Sequence, residues 1–130
     1  VHTLLVIHTF SETTKVTSEF IAASVQVNPV VIRRTLLSLK AAGMIDVRAG
    51  SGGATIRKDL NEITLYDVYT AVDSVDGGLF HFHENPNPSC PVGKNIHAVL
   101  DAHLADAQAA MQNELKKVTL ADLTRELRKV

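Results

Sequence analysis

Residues 28–43 carry both punctuation marks of a helix, and what flanks them narrows the fold sharply. Asn28 is a residue type that caps helix N-termini, and Pro29 stands at the first helical position, where its missing N–H costs nothing. Gly43 stands where a helix wants a left-handed residue at its C-terminal end. Between them Ile32, Leu36 and Leu39 form one apolar stripe at i, i+4 and i+7, and Val30, Val31, Arg33, Arg34, Leu37 and Ser38 fall largely off it. Upstream, Thr17 is a second N-cap, for a helix running to about Val25 with Phe20, Ile21, Ser24 and Val25 on its inner face. Only Gln26-Val27 joins the two, which makes a helix-turn-helix unit. Ahead of it, Val1 to Phe10 reads as an entering helix that offers Leu4, Leu5, His8 and Phe10 to the core. Behind it, Ile45 and Val47 alternate with Asp46 and Arg48, Gly50-Ser51-Gly52-Gly53 turns the chain, and Ala54 to Lys58 alternates again. Helix-turn-helix followed by a two-stranded hairpin is the order of a winged helix.

The rest of the chain returns to helix. Ile63 precedes a Thr64 N-cap with Asp67 at the third helical position, a capping-box variant, and the stripe Leu65, Val68, Val72, Val75 runs on to Asp76-Gly77-Gly78. The phrase recurs as Val118-Thr119-Leu120-Ala121-Asp122, opening a short closing helix; it is too short to be an internal repeat and reads as a second use of one capping solution. Between them, Leu79 to Gly93 is a loop rich in proline, and a long helix is expected from about Lys94 to Lys117. Its apolar positions Ile96, Leu100, Leu104, Ala107, Met111, Leu115 and Val118 follow an eleven-residue period, which keeps the stripe nearly straight. Such a helix is about 36 Å long. A winged unit cannot cover all of that stripe, and a second copy of the chain is the simplest partner. The expected organisation is a DNA-binding winged helix-turn-helix over residues 1–75, an effector or sensor loop over 76–93, and a dimerisation helix with a closing helix over 94–130. The fold class is mainly α with a small β-hairpin wing.

Charge gives this division a function. Residues 15–58 hold seven basic side chains against two acids, Glu19 and Asp46, whereas residues 59–130 hold six basic and eleven acidic ones. A basic winged unit faces a polyanion. At the start of the second helix Asn28, Val30, Val31, Arg33 and Arg34 mix short, apolar and cationic groups as a base-reading helix does; Ser18, Ser38 and, in the wing, Arg48, Gly50 and Ser51 complete the candidate DNA surface. The bland alternative is a solvated basic face, or a winged helix that binds protein. Other classes drop out. No apolar run approaches the ~20 residues of a membrane span, the first ten residues lack a secretory signal, and 45% hydrophobic with 21% charged residues is a globular balance. The six aromatic residues do not interleave with basic ones, so no single-strand platform forms. No Gly-Lys-Ser/Thr follows the wing glycines, so they cradle no nucleotide phosphates. The lone Cys90 excludes a disulfide framework and suits a reducing cytoplasm. His81, His83 and Cys90, with Glu84 beside them, are donors that suit zinc or copper, although packed or solvated loop residues are the plainer account. Cys90 alone is a candidate redox thiol. No metal-binding set and no catalytic set is expected: a Cys90–His97 or Cys90–His103 pair has no third orienting group.

Taken together, Thr17-Ser18, Val27-Asn28-Pro29, Leu36-x-x-Leu39-x-x-Ala42-Gly43-Met44-Ile45, the glycine wing, Glu62-Ile63-Thr64-Leu65-x-Asp67-Val68 and Val118-Thr119-Leu120-Ala121-Asp122-Leu123 resemble the Rrf2 family of bacterial transcription regulators. The resemblance covers nearly the whole chain in the same order. It implies a cytoplasmic homodimer, a repressor, that sets two recognition helices into successive major grooves of a palindromic double-stranded operator. Ile96, Leu100, Leu104, Ala107, Met111 and Leu115 would form the dimer seam. Two departures stand out. Many members hold an iron–sulfur cluster on three cysteines ahead of the long helix, and with Cys90 alone no such cofactor is expected; the segment His83 to Gly93 resembles a cysteine-poor branch whose small effector is unknown. The family wing commonly has arginine before Gly-x-Gly-Gly-Gly-Tyr; here Ala49 precedes Gly50, Arg48 lies one place earlier, and Ala54-Thr55 replaces Gly-Tyr. The family's wing contacts therefore do not transfer directly, while the helix positions Asn28, Val30, Val31, Arg33 and Arg34 carry over by place and not by residue type.

Overall fold

The computed structural model describes residues 1–48, 50, 52–72, 79–80 and 83–130. Helices α1 (His2–Phe10), α2 (Ser18–Val25) and α3 (Pro29–Ala41) precede an antiparallel hairpin of β1 (Ile45–Arg48) and β2 (Gly53–Ile56). A single 3-10 turn (Leu60–Glu62), α4 (Leu65–Val72), the long α5 (Pro91–Leu115) and α6 (Leu120–Leu127) follow. The winged helix-turn-helix is present, and a long helix follows it.

Local hydrogen bonds explain where the elements begin. Thr17 Oγ1 accepts from the Phe20 N–H at 3.2 Å, and Asn28 Oδ1 accepts from the Val30 N–H at 2.9 Å. Gly43 takes the left-handed conformation, φ 73°, and lets its N–H reach the Lys40 carbonyl. The turn between α2 and α3 carries no glycine: Gln26 itself is left-handed, φ 59°, so that its N–H and that of Val27 both reach the Ala22 carbonyl. In the hairpin Ile45 faces Ile56 and Arg48 faces Gly53. A Cβ on Gly53 would lie 2.8 Å from the Val16 carbonyl oxygen, so only glycine lets the hairpin close against the segment before α2.

The stripe of α3 is buried as its spacing predicts, with Ile32, Leu36 and Leu39 in the core beside Leu4, Ile7, Ile21, Ile45 and Ile63. In four places the structure differs from the expected pattern. On α1 the inward residues are Thr3, Leu4, Val6 and Ile7, while Leu5 and His8 are half-buried and Phe10 is exposed. The helix is packed by α2 on one side and β2 on the other, which widens its buried arc. On α2 Ala22 points inward instead of Ser24, whose hydroxyl pairs with His2 Nε2 at the surface. The long helix begins at Pro91 and not at Lys94, because Cys90 is its extended N-cap and Pro91 its first turn, the same grammar as Asn28-Pro29. In α4, Val68 is buried and Val72 exposed; Val75 and residues 76–78 lie outside the described residues.

The two Thr-Leu-x-Asp phrases meet in space. Each forms a full capping box: the Thr64 N–H and hydroxyl both donate to Asp67 Oδ2 at 2.8 Å, and Thr119 treats Asp122 likewise at 2.9 and 2.7 Å. Between them runs a short antiparallel bridge, with the Leu65 N–H on the Val118 carbonyl and the Leu120 N–H on the Ile63 carbonyl, both 2.9 Å. Ile63 and Leu120 are fully buried side by side in the sequence of the bridge. The chain end thus returns to the winged unit, and α6 packs on the 3-10 turn.

Helix α5 stands apart. It is 25 residues long, about 37 Å, and none of its residues is fully buried. Its C-terminal part leans on α4, where the Lys116 ammonium sits 4.6 Å from the centre of the Tyr66 ring. Among the described residues no helix is long and apolar enough to cross a membrane.

Candidate nucleic-acid interface

The exposed side of α3 and the hairpin form one surface. Val30 and Val31, on the first turn of α3, are 51% and 53% exposed, and Leu37 is 68% exposed. These apolar side chains lie open beside the cations of the same helix. Arg33, Arg34 and Lys40 project from the same helix, and Arg48 closes β1. Between α3, the start of α2 and the hairpin lies an open groove of about 560 Å³ whose cationic lining is Lys15, Arg33, Lys40 and Arg48. Lys15 donates to the Gly50 carbonyl and so ties the segment before α2 to the wing.

The candidate residues separate by what already holds them. Arg34, Lys40 and Arg48 make no ion pair among the described residues. Arg33 does: its Nη2 donates to Glu19 Oε1 at 2.5 Å, across the helix-turn-helix. Glu19 accepts a second bond, from Ser18 Oγ at 3.1 Å. Its carboxyl is held below the usual range by its own backbone N–H first, and then by Arg33 and Ser18. Glu19 is the residue that sequence reading passed over; the only signal was an acid, alone on two helices whose other charges are basic. Ser38 turns its hydroxyl back to the Arg34 carbonyl at 3.3 Å. Asn28 is spent on its cap. Gly50 is exposed with φ 80°, and Ser51 lies outside the described residues.

The loop residues are placed less compactly. His83 is exposed and His81 lies outside the described residues. Cys90 is exposed at the N-cap of α5, where the N–H groups of Gly93 and then Val92 hold its thiol below the ordinary range. His97 pairs with Asp101 at 3.1 Å, one turn along α5. No three His, Cys, Asp or Glu side chains come together among the described residues. Ile96, Leu100, Leu104, Met111 and Leu115 are half-buried along one side of α5, Ala107 is exposed, and Val92 and Val99 stand in solvent on another side.

Known proteins place this arrangement. The family model named Rrf2, described as an iron-dependent transcriptional regulator, matches residues 1–126. A Bacillus subtilis strain 168 protein named as an HTH-type transcriptional regulator, YwnA, is 48% identical over 113 residues, 87% of this chain and 84% of its own. A crystal structure of a protein described as DNA binding is 41% identical, with a TM-score of 0.74, covering 94% of this chain and 92% of that one. A transcriptional regulator from Lactobacillus plantarum, 24% identical, superposes with a TM-score of 0.77 over 98% of this chain and 85% of its own, a likeness of fold.

Proposed function

Because the chain belongs to the Rrf2 family of DNA-binding transcription regulators, we propose that it acts as a cytoplasmic homodimer that represses transcription from a palindromic operator. The observation that supports this reading is the surface of α3: Arg34 and Lys40, which make no ion pair among the described residues, beside Val30 and Val31, which are about half exposed. Arg34 supplies a fork that meets guanine or phosphate, and Val31 an apolar contact of the kind that meets a thymine methyl. Arg48, at the end of β1, is our assignment for a phosphate contact beside that helix. Chemistry on a substrate is no part of the family's work, and the chain is not an enzyme.

Helix α5 supports the dimer reading. A helix with a regular apolar stripe and no fully buried residue is unfinished in one chain. Ile96, Leu100, Leu104, Ala107, Met111 and Leu115 are our assignment for the seam. Two copies related by a twofold axis would present their α3 helices to half-sites about 34–36 Å apart, one turn of DNA. A dimer seated there denies the same stretch to other proteins, which is the simplest form of repression.

An iron–sulfur cluster does not fit the residues present. Such clusters are held by several thiolates, whereas the chain has Cys90 alone. We therefore read the protein as working without one, its signal entering by another route. The test is a titration of the purified protein against fragments from around its own gene, at two salt concentrations, with metal assayed on the same sample. The expected result is tight binding to one palindromic fragment that weakens steeply with salt. Equal affinity for random DNA would sink the operator reading, and stoichiometric iron would sink the cluster-free one.

A further inference from the structure

We propose that Glu19 is a positioning residue for DNA recognition: it holds the Arg33 guanidinium so that the fork faces a guanine edge and stays off the phosphates. This deepens the operator reading above and rests on it.

Three observations carry the proposal. The first is geometric. Glu19 sits in the first turn of α2 and reaches across to α3, where Oε1 accepts from Arg33 Nη2, while Oε2 accepts from Ser18 Oγ. The carboxylate is therefore held from two sides and presents a fixed acceptor to the arginine. A guanidinium has five N–H donors in one plane, so one bond to Glu19 leaves a full edge of the fork for the O6 and N7 acceptors of guanine.

The second is electrostatic. Glu19 is the sole acid in α2 and α3, on a surface whose remaining charges are Arg33, Arg34 and Lys40. A carboxylate there opposes phosphate, and it stands at a helix N-terminus, where backbone N–H groups would otherwise receive one. It thus weakens sequence-independent binding. In the hairpin, by contrast, the nearest approach of Asp46 to a cation is a loose 4.0 Å contact with Arg57.

The third is that stability does not account for the pair. Both side chains are more than half exposed, 56% for Arg33 and 61% for Glu19. Ion pairs in that setting add little to folding because water screens them and both chains lose rotamer freedom. What the pair does fix is orientation.

The experiment uses the full chain. A duplex is selected from a random pool with the native protein, and its affinity is compared with that of a scrambled duplex of equal length. Glu19→Gln keeps the size and removes the charge. It is expected to bind the scrambled duplex several-fold more tightly, with a salt slope steeper by up to about one. The selected-to-scrambled ratio is expected to fall about tenfold, roughly the value of one bidentate base contact. Glu19→Asp keeps the charge and loses the reach; it should lower the ratio without steepening the slope. Replacing each guanine of the selected duplex by 7-deazaguanine should penalise the native protein at one position per half-site, and Arg33→Ala should be indifferent there. Melting temperatures of the two Glu19 variants serve as the folding control and should match the native value. An unchanged ratio in both variants overturns the proposal, as does a half-site in which Arg33→Ala still senses every guanine that the native protein senses. If the native protein selects no duplex at all, the operator reading itself falls, which is a different result from losing Glu19 alone.

Discussion

Helices α3 and α5 carry apolar stripes of nearly the same spacing, yet they end in different surroundings. In α3 the stripe Ile32, Leu36 and Leu39 is 2%, 7% and 1% exposed. In α5 the stripe Ile96, Leu100 and Leu104 is only half-covered, and the helix has no fully buried residue. Periodicity tells which face seeks cover, but not which element supplies it. The winged unit closes on itself through α1, α2, the hairpin and α6. The long helix leaves that unit and returns at the Thr64–Thr119 bridge with most of its length uncovered.

Substitution of one stripe against the other tests this contrast most strongly. Leu39→Ala opens a cavity in the closed core and should cost about 2–5 kcal/mol in urea unfolding. Leu104→Asp should leave the thermal unfolding of the winged unit in place but convert a sedimenting dimer to monomer. The loss of two-site attachment should weaken operator binding by about a hundredfold or more. Identical behaviour of the two variants would erase the distinction.

On the recognition face, Arg34→Ala should cost about 1–3 kcal/mol of operator affinity if the side chain reads a base. An unchanged dissociation constant would remove Arg34 from the site. The bridge between the two regions comes next. Thr64→Ala removes one cap and should cost about 0.5–2 kcal/mol. Combined with Thr119→Ala the two losses should fail to add, because both caps brace one bridge. The same boxes set an acid limit. Asp67 is held below the usual carboxylate range chiefly by the Thr64 N–H, and Asp122 by the Thr119 N–H. Carboxylates depressed in the folded state lend stability that is complete above the unfolded value of about 3.9 and is lost as pH falls through the folded one. The urea midpoint should therefore drop below about pH 4, and less so in the doubly substituted chain. The smallest effect belongs to the turn before α3: Gln26→Gly relieves a left-handed side chain and should raise stability by up to about 1 kcal/mol. A loss there would mean that the glutamine side chain contributes something its exposed position does not show.

Much of the fold was legible because its signals are local. Asn28-Pro29, Gly43 and the Ile32, Leu36, Leu39 spacing defined α3 at both ends and on its inner face. The alternation at Ile45 to Arg48 defined the first wing strand. The same grammar stands at Cys90-Pro91, but cysteine is not a residue type that marks an N-cap, so the start of α5 is less legible than that of α3. Gln26 gave no signal, since its left-handed backbone is imposed by the packing of α2 on α3 and not by its own preference. Of the candidate interface, the cations and the exposed valines were visible in the sequence, but the carboxylate that restrains Arg33 was not.

The sequence by itself determined the starts of α2, α3, α4 and α6, the two capping boxes, the basic character of the winged half and the single thiol. Each of these depends on residues within a turn of one another, or on composition alone. Tertiary structure decided that the two capping phrases, 55 positions apart, brace one antiparallel bridge. It also decided that Glu19, 14 positions before Arg33, holds that side chain. Those contacts depend on how packed helices bring distant segments to within 3 Å, and no periodicity in the chain records that distance.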